Sequence, residues 1–150
     1  MDQHKRVLIV DDDPDVRKLI TSALTPYGLI VDSAGDGEEA LGYLRENAYA
    51  VILLDLLMPK LDGFGVLAAM KTDGMQSPPV VLVVTGADRT VVERLDPERI
   101  HGIVRKPFDA EDLATLIVAC SDIKGRGSFG TMAIATLVSG APFLAWFVRS

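Results

Sequence analysis

Five short apolar runs recur along the chain, and each one stops at a polar residue or a turn signal. An apolar run of this length, bounded by turn signals, is typical of a β-strand that is buried on both faces. The pattern therefore predicts five strands. They are Val7–Val10, Leu29–Val31, Val51–Asp55, Val80–Val84 and Ile103–Arg105.

Between these runs, apolar residues recur at helical spacing and follow residues that commonly cap helices. Asp13 and Pro14 mark the start of a first helix, which Gly28 ends. Asp36, with Glu39 three residues later, resembles a capping box for a second helix. The remaining helices are predicted after Gly63 with Phe64, Leu67 and Ala68 on its face, over Arg89–Leu95, and from Asp109 with Leu113, Leu116, Ile117 and Cys120 on one face.

The alternation of strands and helices predicts an α/β fold. Consecutive strand–helix–strand units form right-handed crossovers, and such crossovers build a parallel sheet. Five strands in about 120 residues fit a doubly wound parallel sheet with helices on both faces.

Composition narrows the functional classes. The 150 residues carry a formal charge of −6, which argues against a general nucleic-acid binder because phosphate backbones need a basic surface. Cys120 is the only cysteine, so the chain has neither a disulfide framework nor a zinc cluster, and Cys120 is predicted to lie in the core. The N-terminus lacks the apolar stretch of a signal peptide, which predicts a cytoplasmic protein.

Polar side chains follow four of the predicted strands. Asp11 and Asp12 follow the first strand, Asp55 ends the third, Thr85 follows the fourth and Lys106 follows the fifth. The C-terminal ends of parallel strands share one edge of the sheet, so these groups are expected to converge there. Clustered carboxylates repel one another unless a cation neutralises them, and Mg²⁺ suits such an oxygen site. A carboxylate can accept a phosphoryl group, while a lysine and a hydroxyl can hold its oxygens.

These motifs resemble the receiver domain of response regulators in two-component signalling, over residues 5–121. The matching segments are VLIVDDDPD, LLDLLMPKLDG, VVTG and VRKPF. The resemblance implies a flavodoxin-like sheet of order 2-1-3-4-5 and a cis peptide bond before Pro107. It also implies a signalling module rather than an enzyme, phosphorylated by a sensor histidine kinase or a histidine phosphotransfer protein. The 29 residues after residue 121 are too few for an output module, which predicts a stand-alone receiver.

The resemblance implies a role for each strand-end residue. Asp55 would be the phosphoacceptor, and Lys106 would pair with the phosphoryl group. Asp11 and Asp12 would bind Mg²⁺ together with Asp55 and the backbone carbonyl of Leu57. Thr85 would be the switch hydroxyl.

The chain departs from the receiver pattern in two places. Receivers often have an aromatic residue three positions before the lysine, where this chain has Ile103. The residues two positions after the acceptor and after the threonine, which help to position attacking water in receivers, are Leu57 and Ala87. Neither side chain can hydrogen-bond a water molecule.

Two other functions fit part of the pattern. LIVDDDPDV also matches the start of haloacid-dehalogenase-type phosphotransferases, with Asp11 as nucleophile and Asp13 as acid and base, but that reading leaves the DLLMPKLDG loop unexplained. The other alternative is a pseudo-receiver that acts only by interaction and is not phosphorylated.

Residues 122–150 form an apolar tail after a receiver domain over residues 1–121. All 21 Asp and Glu residues precede residue 123, and Gly127–Val148 contains no charge over 22 residues. A helix of this length matches the thickness of a bilayer core, and such a helix would tether the protein to the inner face of a membrane. The alternative is a helix-turn-helix, broken at Ser139-Gly140, that packs on its own receiver or forms a homodimer.

Overall fold

Five parallel strands form the central sheet of the protein, whose structure is a computed structural model describing residues 6–75, 77–125, 132–138 and 141–148. The strands are β1 (Arg6–Val10), β2 (Ile30–Ala34), β3 (Val51–Leu54), β4 (Val80–Thr85) and β5 (Gly102–Arg105). Their order is β2-β1-β3-β4-β5, and every neighbouring pair is parallel. The predicted fold class and strand order are therefore confirmed.

Five helices connect or follow these strands. They are α1 (Pro14–Leu24), α2 (Gly37–Glu46), α3 (Gly63–Asp73), α4 (Arg89–Val92) and α5 (Ala110–Gly125). Short 3-10 helices cover Thr25–Tyr27 and Pro97–Arg99.

Aspartate side chains fix where the helices begin. Asp13 accepts a hydrogen bond from the Asp15 amide at the start of α1, and Asp36 accepts one from the Glu39 amide at the start of α2. The bond from the Glu39 amide also holds the pKa of Asp36 below its ordinary value. These caps satisfy backbone groups that a helix cannot bond internally. They place the starts of α1 and α2 within four residues of the ends of β1 and β2.

The sheet separates two apolar clusters, which confirms helices on both faces. One cluster joins β1, β3 and β4 to α1 and α5, and it includes Ile20, Leu53, Ile117 and Cys120. The other joins the opposite face to α2 and α3, and it includes Leu54. As predicted, Cys120 is buried.

Several element boundaries differ from those predicted. The α-helical hydrogen bonds of α1 end at Leu24, and a 3-10 turn leads to Gly28, whose φ of 70° suits glycine. β2 begins at Ile30 and extends to Ala34. α4 ends at Val92, three residues before the predicted end. On α3, Val66 and Leu67 are buried, whereas Ala68 is exposed.

The prediction of a helix in the tail is wrong. Met132–Val138 and Ala141–Val148 form two antiparallel strands, β6 and β7, that make a separate two-stranded sheet. Ser139 and Gly140, where a break between two helices was predicted, lie outside the described residues. Among the residues that the structure describes, no helix has the length and apolar character needed to cross a membrane.

Candidate functional site

Three aspartates meet at the C-terminal edge of the sheet. Asp11 and Asp12 follow β1, and Asp55 follows the adjacent strand β3. One carboxylate oxygen from each lies within 4.8 Å of the others. Asp11 is only 3% exposed and Asp55 only 6%, while Asp12 is exposed. This set of oxygen donors fits a hard divalent cation such as Mg²⁺.

Lys106, which follows β5, reaches across the edge to two of these carboxylates. Its Nζ donates to Asp11 Oδ2 at 2.7 Å and to Asp55 Oδ2 at 3.2 Å. The peptide bond between Lys106 and Pro107 is cis. Four of the five predicted strand-end side chains are thus brought together.

Burial and the neighbouring polar groups shift the pKa values of Asp11 and Lys106 in opposite directions. Burial raises the pKa of Asp11, and the hydrogen bonds from Lys106 and the Asp13 amide offset only part of that increase. Burial lowers the pKa of Lys106, but the hydrogen bond to Asp11 and the negative charges of Asp55 and Asp11 outweigh it, so the pKa is raised. Lys106 is therefore an ammonium ion at neutral pH. It supplies positive charge where three carboxylates converge.

The hydroxyl of the fifth predicted residue, Thr85, bonds a backbone amide of the next loop. Thr85 is fully buried, and its Oγ1 accepts a hydrogen bond of 3.1 Å from the amide of Ala87. Within the described part of the chain, the Thr85 hydroxyl makes no hydrogen bond to the aspartates or to Lys106. Its backbone carbonyl accepts a bond from the Lys106 amide, so the two residues are neighbours through the main chain.

The loop after Asp55 packs closely against the end of β3 and the start of α2. The Gly63 amide donates to the carbonyl of Leu56, and a β-carbon at Gly63 would collide with the Asp55 carbonyl. The Gly37 amide donates to the Leu61 carbonyl at 3.0 Å. These contacts fix the backbone on both sides of the loop between Asp55 and Gly63.

Leu57 lies in this loop, two residues after Asp55. Its amide donates to Asp55 Oδ1 at 3.5 Å, the limit of a hydrogen bond, and its side chain is 54% exposed. An exposed apolar side chain therefore follows two positions after Asp55.

A family model described as the response regulator receiver domain matches residues 7–118, which is most of the chain. The chain belongs to the response regulator receiver domain family. The resemblance seen in the sequence is therefore confirmed. Receiver domains are in general signalling modules rather than enzymes, and they bind Mg²⁺ at an acidic pocket, which here corresponds to the cluster of three aspartates.

Two curated relatives have the same sequence identity to this chain but differ in how much of their own length the match covers. A probable chemotaxis protein CheY of Rhizobium etli is 34% identical over 116 residues, which cover 76% of this chain and 90% of that protein. The probable transcriptional regulator ycf27 of Guillardia theta is 34% identical over 133 residues, which cover 87% of this chain but 51% of that protein. The chain thus spans about half the length of several curated relatives that it matches.

A solved structure agrees with the fold. The response regulator protein TrrA of Thermotoga maritima, in complex with Mg²⁺-BeF, has a TM-score of 0.67 and 27% sequence identity. The match covers 77% of this chain and 98% of that one.

Two arginines that contact the site edge of this receiver are not recognisable from the sequence alone. Arg17, on α1, donates to the carbonyl of Asp11 at 2.6 Å. Arg105, on β5, donates to the carbonyl of Ala87 at 3.0 Å. Both bonds go to backbone oxygens, and no spacing rule connects an arginine to a distant carbonyl.

Proposed function

We propose that this receiver accepts a phosphoryl group on Asp55. The observation that carries the proposal is the position of the Lys106 ammonium group, which bonds both Asp55 and Asp11 within a cluster of three carboxylates. Because Lys106 already bonds Asp55 and its neighbour Asp11, its positive charge can compensate the negative charge that a phosphoryl group would add.

The chemistry is the transfer of a phosphoryl group from a histidine of the donor protein to Asp55. A carboxylate oxygen of Asp55 forms a bond to phosphorus while the bond from phosphorus to a histidine nitrogen of the donor breaks, and that nitrogen keeps the electron pair. The product is an acyl phosphate on Asp55. Lys106 can pair with the negative charge of the added phosphoryl group, because its long, flexible side chain already bonds the Asp55 carboxylate.

Asp11, Asp12 and Asp55 are the residues that would hold Mg²⁺, with the backbone carbonyl of Leu57 as a further ligand. When bound, the ion would supply positive charge that stabilises the oxygens of the transferring phosphoryl group. The proximity of the three carboxylates supports this assignment, as does the solved relative from Thermotoga maritima, which is in complex with Mg²⁺-BeF.

The biological role proposed for this chain is phosphorylation-dependent signalling by contact. The donor would be a sensor histidine kinase or a histidine phosphotransfer protein in the cytoplasm. Residues 1–121 would be the receiver, acting as a signalling module and not as an enzyme. Thr85 would turn toward the phosphoryl group once Asp55 is modified, and this change would be read by a downstream protein.

The test is labelling with radioactive acetyl phosphate and Mg²⁺. We expect the wild type to acquire a base-labile label and Asp55→Asn to acquire none. Lys106→Ala should acquire the label but should not undergo the conformational change that follows phosphorylation. Asp13→Asn is the matched control. It removes a carboxylate next to the site, but asparagine caps a helix as well as aspartate does, so α1 should remain intact.

The position of the label separates this proposal from its rivals. Label on Asp11, lost in Asp13→Asn, would indicate a dehalogenase-type phosphotransferase. A well-folded wild type that takes no label from any phosphodonor, cognate kinases included, would indicate a pseudo-receiver. The Asp13 side chain accepts a hydrogen bond from the Asp15 amide and caps α1, which disfavours a role for it as acid and base.

A further inference from the structure

The loop between β4 and α4 is held at Ala87 by two hydrogen bonds. The Ala87 amide donates to Thr85 Oγ1 at 3.1 Å, and the Ala87 carbonyl accepts from Arg105 Nη1 at 3.0 Å. Ala87 is buried, so each of these backbone groups needs a partner within the protein. The loop conformation therefore depends on two side chains, Thr85 and Arg105.

These side chains come from paired positions on adjacent strands. Thr85 lies opposite Arg105 in the register of β4 and β5, and the Lys106 amide donates to the Thr85 carbonyl. Arg105 is thus next in sequence to the lysine that bonds Asp55 and next in space to the threonine. It is placed to transmit a movement of the loop to the phosphorylation site.

Arg105 shares one face of β5 with Ile103, because alternate residues of a strand point the same way. Ile103 packs against the apolar cluster on the α2 and α3 face, and its aliphatic side chain cannot hydrogen-bond the loop. The polar connection from this face of β5 to the loop is made by Arg105.

We propose that Arg105 is a positioning residue that opposes the phosphorylation switch. By holding the Ala87 carbonyl, it stabilises the arrangement in which the Thr85 hydroxyl is bonded to the Ala87 amide rather than to a phosphoryl oxygen. This inference rests on the proposed role of Asp55 as phosphoacceptor.

Removing Arg105 should change the binding of a phosphoryl analogue, and the direction of that change distinguishes this role from a simple effect of charge. A positive charge near an anionic ligand strengthens binding, so removing Arg105 would weaken binding if charge alone mattered. If the bond to Ala87 is lost on phosphorylation, as the proposal requires, removing it has the opposite effect, because the competing arrangement becomes relatively more stable. Neutralising Arg105 should therefore strengthen binding of a phosphoryl analogue.

The experiment uses the full chain with Mg²⁺ and beryllofluoride as the phosphoryl analogue, titrated by NMR of the backbone amides. Arg105→Met keeps the aliphatic stem but removes the guanidinium group, and Arg105→Lys retains the charge and a donor group without the planar guanidinium geometry. Arg89→Met is the matched control, since it removes a positive charge from the neighbouring helix α4, where Arg89 is exposed and pairs with Glu93.

We expect Arg105→Met to bind beryllofluoride about three- to tenfold more tightly, the effect of one net hydrogen bond. Arg105→Lys should lie between Arg105→Met and the wild type, and Arg89→Met should bind no more tightly than the wild type. Without beryllofluoride, Arg105→Met should also lose hydrogen-exchange protection at the amide of Ala87.

Weaker or unchanged binding by Arg105→Met would overturn the proposal. If that variant does not fold, the wild type decides, because the side-chain NMR signal of Arg105 must shift when beryllofluoride binds, and an unshifted signal refutes the role. A wild type that neither binds beryllofluoride nor labels at Asp55 would refute the phosphoacceptor function itself. The two failures are therefore distinguishable.

Discussion

At the scale of single residues, we expect Leu57 to affect how water reaches Asp55 once this residue is phosphorylated. Its exposed apolar side chain stands two residues after Asp55, and Ala87 occupies the corresponding place after Thr85. Water that attacks an acyl phosphate must be oriented, and neither side chain can orient it by hydrogen bonding. The phosphorylated form should therefore be long-lived.

Replacing Leu57 by Asn should shorten the lifetime of the phosphorylated protein several-fold, because an amide can bond and orient water. The measurement is the loss of label from purified phosphoprotein over time. Leu19→Asn is the control, since Leu19 is a similarly exposed leucine on α1. Decay of the wild type within seconds, together with no change in Leu57→Asn, would contradict the expectation.

The reactivity of the Cys120 thiol depends on whether the core around it stays closed. Burial raises the pKa of its thiol to about 12, so the reactive thiolate is scarce near neutral pH. We expect the native protein to resist Ellman's reagent at about pH 8 and to react fully once it is denatured in guanidinium chloride. Rapid reaction of the native protein would show that this part of α5 opens easily.

At the scale of elements, two glycines of α2 provide a matched comparison. A β-carbon at Gly37 would collide with the Leu61 carbonyl in the loop after Asp55, whereas one at Gly42 would meet nothing within 4 Å. Gly37→Ala should destabilise the protein by about 1–3 kcal/mol, as overpacking does. Gly42→Ala should stabilise it by about 0.5–1 kcal/mol, because alanine is the better helix former.

Chemical denaturation measures both changes in the free energy of unfolding. The control is internal, since the same substitution is made twice in one helix. Gly37→Ala should also slow labelling at Asp55, because the loop carrying Leu61 begins directly after the acceptor. Equal effects of the two substitutions would mean that α2 does not constrain this loop.

The central elements could be predicted from the sequence because their signals are local. Apolar runs ending in Asp11, Asp55 and Thr85 indicate both a buried strand and the position of its end, and parallel strands place those ends together. The hydrogen-bond partners of the side chains were harder to predict from the sequence. That Thr85 bonds Ala87 rather than the acidic cluster depends on the path of the β4–α4 loop, which no periodicity encodes.

The tail shows where local signals fail. Its 22 uncharged residues satisfy the length and polarity of a helix, and periodicity cannot separate a fully apolar helix from a strand. Residue type would have favoured strands, since Ile134, Val138 and Phe143 are β-branched or aromatic, and the Ser139-Gly140 pair is a turn signal in the sequence.

At the scale of the whole molecule, the five-stranded sheet and the proposed site share one part of the chain. Among the residues whose burial the structure describes, those of both apolar clusters lie between Val7 and Cys120, and the proposed site residues lie between Asp11 and Lys106. The uncharged tail follows the end of α5 at Gly125. We therefore expect a chain truncated after Gly125 to fold and to be phosphorylated.

The truncated chain should melt within about 5 °C of the full chain, which corresponds to about 1 kcal/mol or less. It should also label with acetyl phosphate at the same rate, because every strand-end residue of the site is retained. Thermal unfolding and labelling of both chains provide the measurement, and Asp55→Asn in the truncated chain controls for label at other residues. A large fall in melting temperature would mean that β6 and β7, which follow α5, complete the fold rather than extend it. Unchanged stability with lost labelling would instead assign the tail a direct part in phosphorylation.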